Sequence, residues 1–333
     1  MAVMKAAIWM SEPLAALLLP HVSKTNPVVV RSSKEFFELA SDPTTVAFVD
    51  TEALALIAAA SHLSVSAYVI ALCPDQLVGA VDWLREYPFL TSVVSVGLLS
   101  HAMLDRHLEN VIRTATGKGT PRLLDWLGSD VVGRRVRLTH SSRRAARIDR
   151  MATFFETQNV GMRTLQDIRD AVEELVTNAF YDAPVAAGAI KGPVSRAQDV
   201  SLPDDNACDL AYGFHDDIAV VRVRDPFGAL SRRRLIEVLT RCSQADVQVD
   251  ETMGGAGLGI WRIFSRATFV AISVVKHRHT EILVGLAKKA PGARPFAIHL
   301  FFRESKKKRF WQIFNDDTSA KPGINHSVMI KPK

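Results

Sequence analysis

Cysteine is scarce. Cys73, Cys208 and Cys242 are the only three in 333 residues, too few and too scattered for a disulfide framework or a four-ligand zinc site. That usage fits a reducing compartment, the cytoplasm. Long apolar runs are also missing. No stretch reaches the roughly 20 uninterrupted apolar residues of a membrane helix, so no membrane partner is expected. The apolar start, Met1 to Pro20, is broken by Glu12 and Pro13 and shows no small-residue cleavage pattern, so it does not read as a signal peptide. There is no repeat at a period of roughly 20–50 residues. What is present is an ordinary globular composition, 48% apolar and 23% charged, which excludes a disordered or collagen-like chain. The length suggests about two domains, each able to bury a core.

Charge is unevenly spread. Residues 1–118 carry 8 Lys/Arg and 11 Asp/Glu, a balance of −3, and the remainder carries 33 and 24, a balance of +9. A basic second half suits an anionic partner, although a solvated basic face explains it equally at this level.

Along residues 1–116, short β-branched or apolar runs alternate with helical spacing: Lys5–Met10, Pro27–Val30, Thr44–Val49, Ala67–Leu72 and Thr91–Val96, each followed by a helix. Continuous apolar strands between helices predict a doubly wound parallel sheet covered on both faces. This order resembles a response-regulator receiver domain, with Asp50 at the end of the third strand where receivers carry the phosphate acceptor. The resemblance is degenerate. Met10-Ser11 stands where receivers place an acidic pair, and Val96-Gly97 where they place a lysine. Asp50 therefore reads as a polar residue closing a strand.

Residues 117–140 hold Gly117, Gly119, Pro121, Gly128 and Gly133 and read as a linker. His140 is followed by Ser-Ser-Arg rather than an acid, so it is not a phosphorylatable histidine of a kinase hairpin.

Residues 141–303 carry three motifs. A helix over Asp167–Phe180 has an apolar stripe and places Glu174 and Asn178 four apart, on one face. Alone, that spacing is common and reads as a polar pair on an exposed helix face. A strand over Ile218–Arg224 runs into Asp225-Pro226-Phe227-Gly228, where a carboxylate could accept a hydrogen bond from a base or simply close a turn. Met253–Trp261, with Gly254, Gly255, Gly257 and Gly259, opens another helix, where free amides and close backbone approach suit phosphate. It follows a polar loop rather than a strand, which excludes a dinucleotide-binding fingerprint.

In this order the motifs resemble the histidine-kinase-like ATPase fold (GHKL, or Bergerat, fold) shared by histidine kinases, DNA gyrase, the ninety-kilodalton heat-shock chaperones and mismatch-repair ATPases. The run Ala171–Ala179 and the preceding basic helix place it nearest the anti-sigma-factor serine kinases. The resemblance implies a two-layer α/β sandwich with a mixed sheet and helices on one face, with ATP and Mg²⁺ as cofactors. Asn178 would be the metal ligand, Glu174 the catalytic residue toward an attacking hydroxyl, and Asp225 the adenine acceptor. Gly228, Gly255, Gly257, Leu258 and Gly259 would shape the nucleotide site, under a lid over residues 229–253. Arg232, Arg233, Arg234 and Arg241 would reach phosphate or form a solvated helix face. The family's glycine two residues after the aspartate is Phe227 here, which would narrow the adenine pocket or change how the lid swings. The implied function is a cytoplasmic serine/threonine protein kinase acting on a protein partner. The alternative is a nucleotide-gated interaction module without turnover. A homodimer is left open, and nucleic acid is not an expected partner of the basic tail, residues 304–333.

Overall fold

The computed structural model describes residues 5–60, 65–117, 122–128, 131–244, 257–289, 294–305 and 329–331. Five strands open the chain: β1 (Ala6–Trp9), β2 (Pro27–Val29), β3 (Val46–Val49), β4 (Tyr68–Cys73) and β5 (Leu90–Ser95). All pair in parallel, in the order β2-β1-β3-β4-β5. Strand alternation sorts their side chains. Ala6, Ile8, Phe48, Ile70, Leu72 and Val94 fall on one face, under α1 (Glu12–Val22) and α5 (Leu104–Ala115). Ala7, Ala47, Val49, Val69, Ala71 and Val93 fall on the other, under α2 (Ser33–Ala40), α3 (Thr51–Ala59) and α4 (Leu77–Glu86). Both faces need apolar residues, so the strands show no polar alternation.

The second half adds α6 (Leu123–Leu127), β6 (Val132–Leu138), α7 (Arg144–Thr157), α8 (Met162–Thr177) and the single turn α9 (Ala183–Ala186). It continues with β7 (Asp199–Ser201), β8 (Cys208–His215), β9 (Ile218–Asp225), α10 (Arg232–Ser243), α11 (Leu258–Arg266), β10 (Phe269–Val275), β11 (His279–Ala287) and β12 (Ala297–Arg303). The β8–β9 hairpin turns through Asp216 and Asp217, both with positive φ, 47° and 63°, as a two-residue hairpin turn requires. A last strand, β13 (Met329–Lys331), pairs with β7.

Two features differ from the sequence-based expectation. The halves share one sheet. β12 lies antiparallel to β5, with His299 opposite Ser92, and the order runs on as β5-β12-β10-β11-β9-β8-β6. Residues 117–140, read above as a linker, supply α6 and the edge strand β6. The second difference concerns the layers. The mixed sheet carries helices on both faces, not one. Residues of α7, α8, α10 and α11 fill one face. The other face bears Ala211, Val220, Phe269, Ala271, Leu283 and Phe301, which are buried together with α5 and with Leu123, Trp126 and Leu127 of α6. Trp126 stacks on Phe269 with ring centroids 5.3 Å apart. An apolar second face cannot be left in water, and the helices next to the junction cover it.

Candidate functional site

α8 carries Glu174 and Asn178 because its apolar stripe, Ile168, Ala171, Val172, Leu175 and Val176, is buried and fixes its rotation. At Asn178 the helix widens into a π turn, Asn178–Asp182, a form that recurs at functional sites. Asn178 Nδ2 donates to Glu174 Oε1 at 3.2 Å. That orients the amide and leaves its oxygen as a neutral acceptor.

β9 ends at Asp225, which is buried. Phe227 N and Gly228 N donate to its Oδ1 at 2.8 and 3.3 Å. Burial pushes its carboxyl up to about 6, and the hydrogen bonds from Phe227, Gly228 and Thr280 work against that. Thr280, the second residue of β11, lies directly opposite Asp225. Sequence reasoning missed it, and a threonine before an apolar run carries no local signal. Gly228 has φ 61°, and a Cβ there would stand 2.8 Å from Arg278 N. Its place is thus dictated by the β10–β11 turn it packs against. Phe227 is buried in the core, contrary to the expectation that it narrows the pocket.

Glu174, Asn178, Asp225, Thr280 and Gly257 line one cavity of about 190 Å³, closed by Ile260 of α11 and by Leu235 and Val238 of α10. Arg234 of α10 and Arg196 also line it. Gly257 takes φ 124° at the start of α11, a conformation that favours glycine. Leu258 begins that helix, and at Gly259 a Cβ would overlap the Glu174 carboxyl, standing 2.6 Å from its Cγ. Gly255 lies outside the described residues, as does the lid segment 245–253. Of the lid expected over 229–253, Arg232–Ser243 form α10, with Leu235, Ile236 and Leu239 buried. Arg232 donates to Leu84 O at 2.7 Å and to Leu90 O at 3.0 Å. It therefore joins α4 and β5 rather than reaching phosphate. Arg233 lies 3.8 Å from Glu237 on the helix surface.

Among the described residues no group of three or more His, Cys, Asp or Glu is placed to hold a metal. Mg²⁺ needs fewer protein ligands than that when it rides on phosphates, and the Asn178 oxygen is one suitable donor. In the first half, both Asp50 oxygens are taken. Ser11 N donates to Oδ2 at 2.7 Å and Ala53 N to Oδ1 at 3.0 Å. Asp50 caps α3 and ties it to the β1–α1 turn. Two further possibilities carry no chemistry. Cys73 and Cys208 are buried, and burial pushes the first thiol up to about 12 and the second well above its usual value, so neither is a nucleophile. No helix among the described residues is long and apolar enough to cross a membrane.

No family model matches the chain, and no curated protein matches it. Among solved structures, two crystal structures of the S. aureus homoserine dehydrogenase, at pH 7.0 and pH 6.0, align over 89% of this chain and 98% of theirs. Each shares 7% identity with a TM-score of 0.17, an overlap too small to indicate a common fold.

Proposed function

We propose that the chain is a cytoplasmic signalling protein that binds Mg-ATP in the cavity between α8, α10 and α11. Its activity would be that of a serine/threonine protein kinase of the anti-sigma-factor type acting on a partner protein. The observation that carries this reading is convergence. Three motifs far apart in sequence bring a buried carboxylate (Asp225), a carboxylate–amide pair (Glu174, Asn178) and the glycine that starts α11 (Gly257) around one cavity. Asp225 would accept the adenine amino group, as its burial makes an unpaired partner costly. Asn178 would supply one oxygen to Mg²⁺, which neutralises phosphate charge when bound. Glu174 would orient an acceptor hydroxyl and take its proton. It stands between the nucleotide cavity and a second one of about 210 Å³, lined by Asp167, Asp170, Glu173 and Arg262, which also reaches Gly259. A partner's hydroxyl would enter there. Arg196 and Arg234 would face phosphate.

Residues 1–116 would be a receiver-like unit that works by contact. The strand order 2-1-3-4-5 is that of flavodoxin-like sheets, and each Asp50 oxygen already accepts a backbone N–H bond in capping α3. One observation favours the alternative of a nucleotide-gated interaction module. Half of the expected lid is a helix tied to α4 through Arg232, which restrains the motion that turnover would use. Calorimetry with ATP and Mg²⁺ tests the shared core of both readings. Asp225→Asn should weaken binding about tenfold or more, because a donor amide replaces a buried acceptor. Unchanged affinity would remove the assignment. Transfer of labelled phosphate from ATP to a partner, lost in Glu174→Ala, separates the kinase from the module.

A further inference from the structure

The 11-stranded sheet has two edges, and they are unlike. β2 is three residues long and begins with Pro27, a form that discourages pairing. β6 is seven residues long and mostly exposed, with Val132 62% accessible. It pairs with β8 on one side, and among the described residues nothing pairs with its other side.

Its arginines divide by face. Arg135 makes a two-pronged contact with Asp209, at 3.1 and 2.8 Å, and Arg137 donates to the Asp204 carbonyl. Both lie on the face away from α7 and both are engaged. Arg134 lies on the other face with Val132 and Val136, opposite Tyr212. Tyr212 packs against Phe154 and Phe155 of α7, and its phenol feels the charges of Arg134, Arg147 and Arg150 together. Arg147 and Arg150 are three apart on α7, hence on one side of it. None of these three arginines is in an ion pair among the described residues. The nearby acid on α7, Asp149, is engaged by Arg169.

We propose that β6 and the arginines of α7 form a docking edge for an acidic, extended segment of a partner protein, which adds a strand beside β6. Strand addition supplies backbone hydrogen bonds, and same-face side chains two apart supply specificity. The segment would carry Asp or Glu at alternate positions on the α7 side, to meet Arg134, Arg147 and Arg150, and small or apolar residues near Val132 and Val136. A second copy of this chain is a poor occupant. Pairing β6 with β6 would set arginines against arginines, and like charges across a strand pair are destabilising. Nucleic acid would satisfy the arginines and leave the strand's amides unpaired.

The test uses the full chain and two short labelled peptides of one composition, with glutamates alternating or in a block. Fluorescence anisotropy at physiological salt should show the alternating peptide bound more tightly. Arg134→Glu, Arg147→Glu and Arg150→Glu should each weaken it about three- to tenfold, with unchanged melting temperatures. Arg→Gln at the same positions should do so less. Amide hydrogen exchange in Val132–Leu138 should slow on binding. Equal affinity for the two peptides would reduce the surface to a diffuse basic patch and overturn the proposal. So would no peptide binding, which would leave the arginines as guards of the edge. Single-stranded DNA bound with the same arginine dependence, without slowed exchange in β6, would overturn it in favour of a nucleic-acid surface.

Discussion

Gly259 is set by the side chain opposite it. The Glu174 carboxyl lies where a Cβ would go, so an added methyl at the start of α11 requires that carboxyl to turn aside. Gly259→Ala should therefore destabilise the fold by no more than about 1 kcal/mol, because only a flexible side chain has to change rotamer, and should displace Glu174. Chemical denaturation measures the first effect. The double variant Gly259→Ala, Glu174→Ala should recover most of the loss, because it removes the other half of the overlap; an additive pair would place the strain elsewhere. At this scale the sequence was informative where a residue type is its own signal. Glu174, Asn178, Asp225 and Gly257 were singled out by motif order and resemblance, and the fold brings these four to one cavity. Thr280 and Arg196 were not, since their places in its lining come from strand register and loop placement, which no local pattern encodes. Asp50 shows the intermediate case. Its place at a strand end was legible, whereas the capture of both oxygens by Ser11 N and Ala53 N is a property of the folded turn.

At the scale of elements, α10 joins the half that carries the candidate site to the first half. Its N-cap, Ser231, accepts from Arg234 N. Its apolar positions Leu235, Ile236 and Leu239 are buried, and its first residue bonds two carbonyls at the end of α4 and the start of β5. Arg232→Ala should cost about 1–3 kcal/mol, as two half-buried carbonyls lose a charged donor. It should also raise amide exchange across Arg232–Ser243. Arg232→Lys should restore only part, since an ammonium cannot reproduce the fork of a guanidinium. Exchange unchanged in both variants would show that the apolar side of α10 holds it alone. The sequence suggested only a lid whose arginines could line a helix face, and the docking of that helix was not readable, because Arg232 and Leu84 are 148 residues apart. β6 was passed over for a different reason. Val-Gly-Arg-Arg-Val-Arg-Leu breaks the apolar alternation that marks a strand, and an exposed edge strand has little need of it.

At the scale of the whole molecule, the junction of the halves is a buried polar chain. Tyr68 OH and Ser92 Oγ lie 2.6 Å apart, Ser92 Oγ and His299 Nδ1 2.7 Å, and His299 Nε2 and His107 Nε2 2.7 Å. β4, β5, β12 and α5 each supply one member, so the chain spans the line where β5 meets β12. One proton lies between the two Nε2 atoms. His107 Nδ1 is buried without a partner, beside Trp126 and Phe269, so a proton added there would have no acceptor. Burial pushes His107 down to about 3, with His101 adding repulsion, and pushes His299 well below its ordinary value, with His107 adding to it. The other charge near this line, Arg303, donates to the Thr114 carbonyl and acts on Tyr68. Unfolded, each imidazole binds a proton below about 6.5; folded, His107 binds none until about 3. The unfolded chain thus holds more protons over that range, and stability falls as pH drops through it, by about 1.4 kcal/mol per pH unit for each imidazole kept neutral. His279, pushed down to about 4 by burial, acts in the same sense. Asp225, held up near 6, opposes them between about 6 and its unfolded value of 3.8. Three imidazoles against one carboxyl leave the sense with the histidines. Urea denaturation from about pH 7.5 downward should show the midpoint falling below about pH 6.5. His107→Leu combined with His299→Leu should flatten that limb while leaving Tyr68 and Ser92 bonded to each other. If the limb kept its slope in the double variant, the acid sensitivity would belong to groups away from the junction, and the polar chain there would serve only to align β5 with β12.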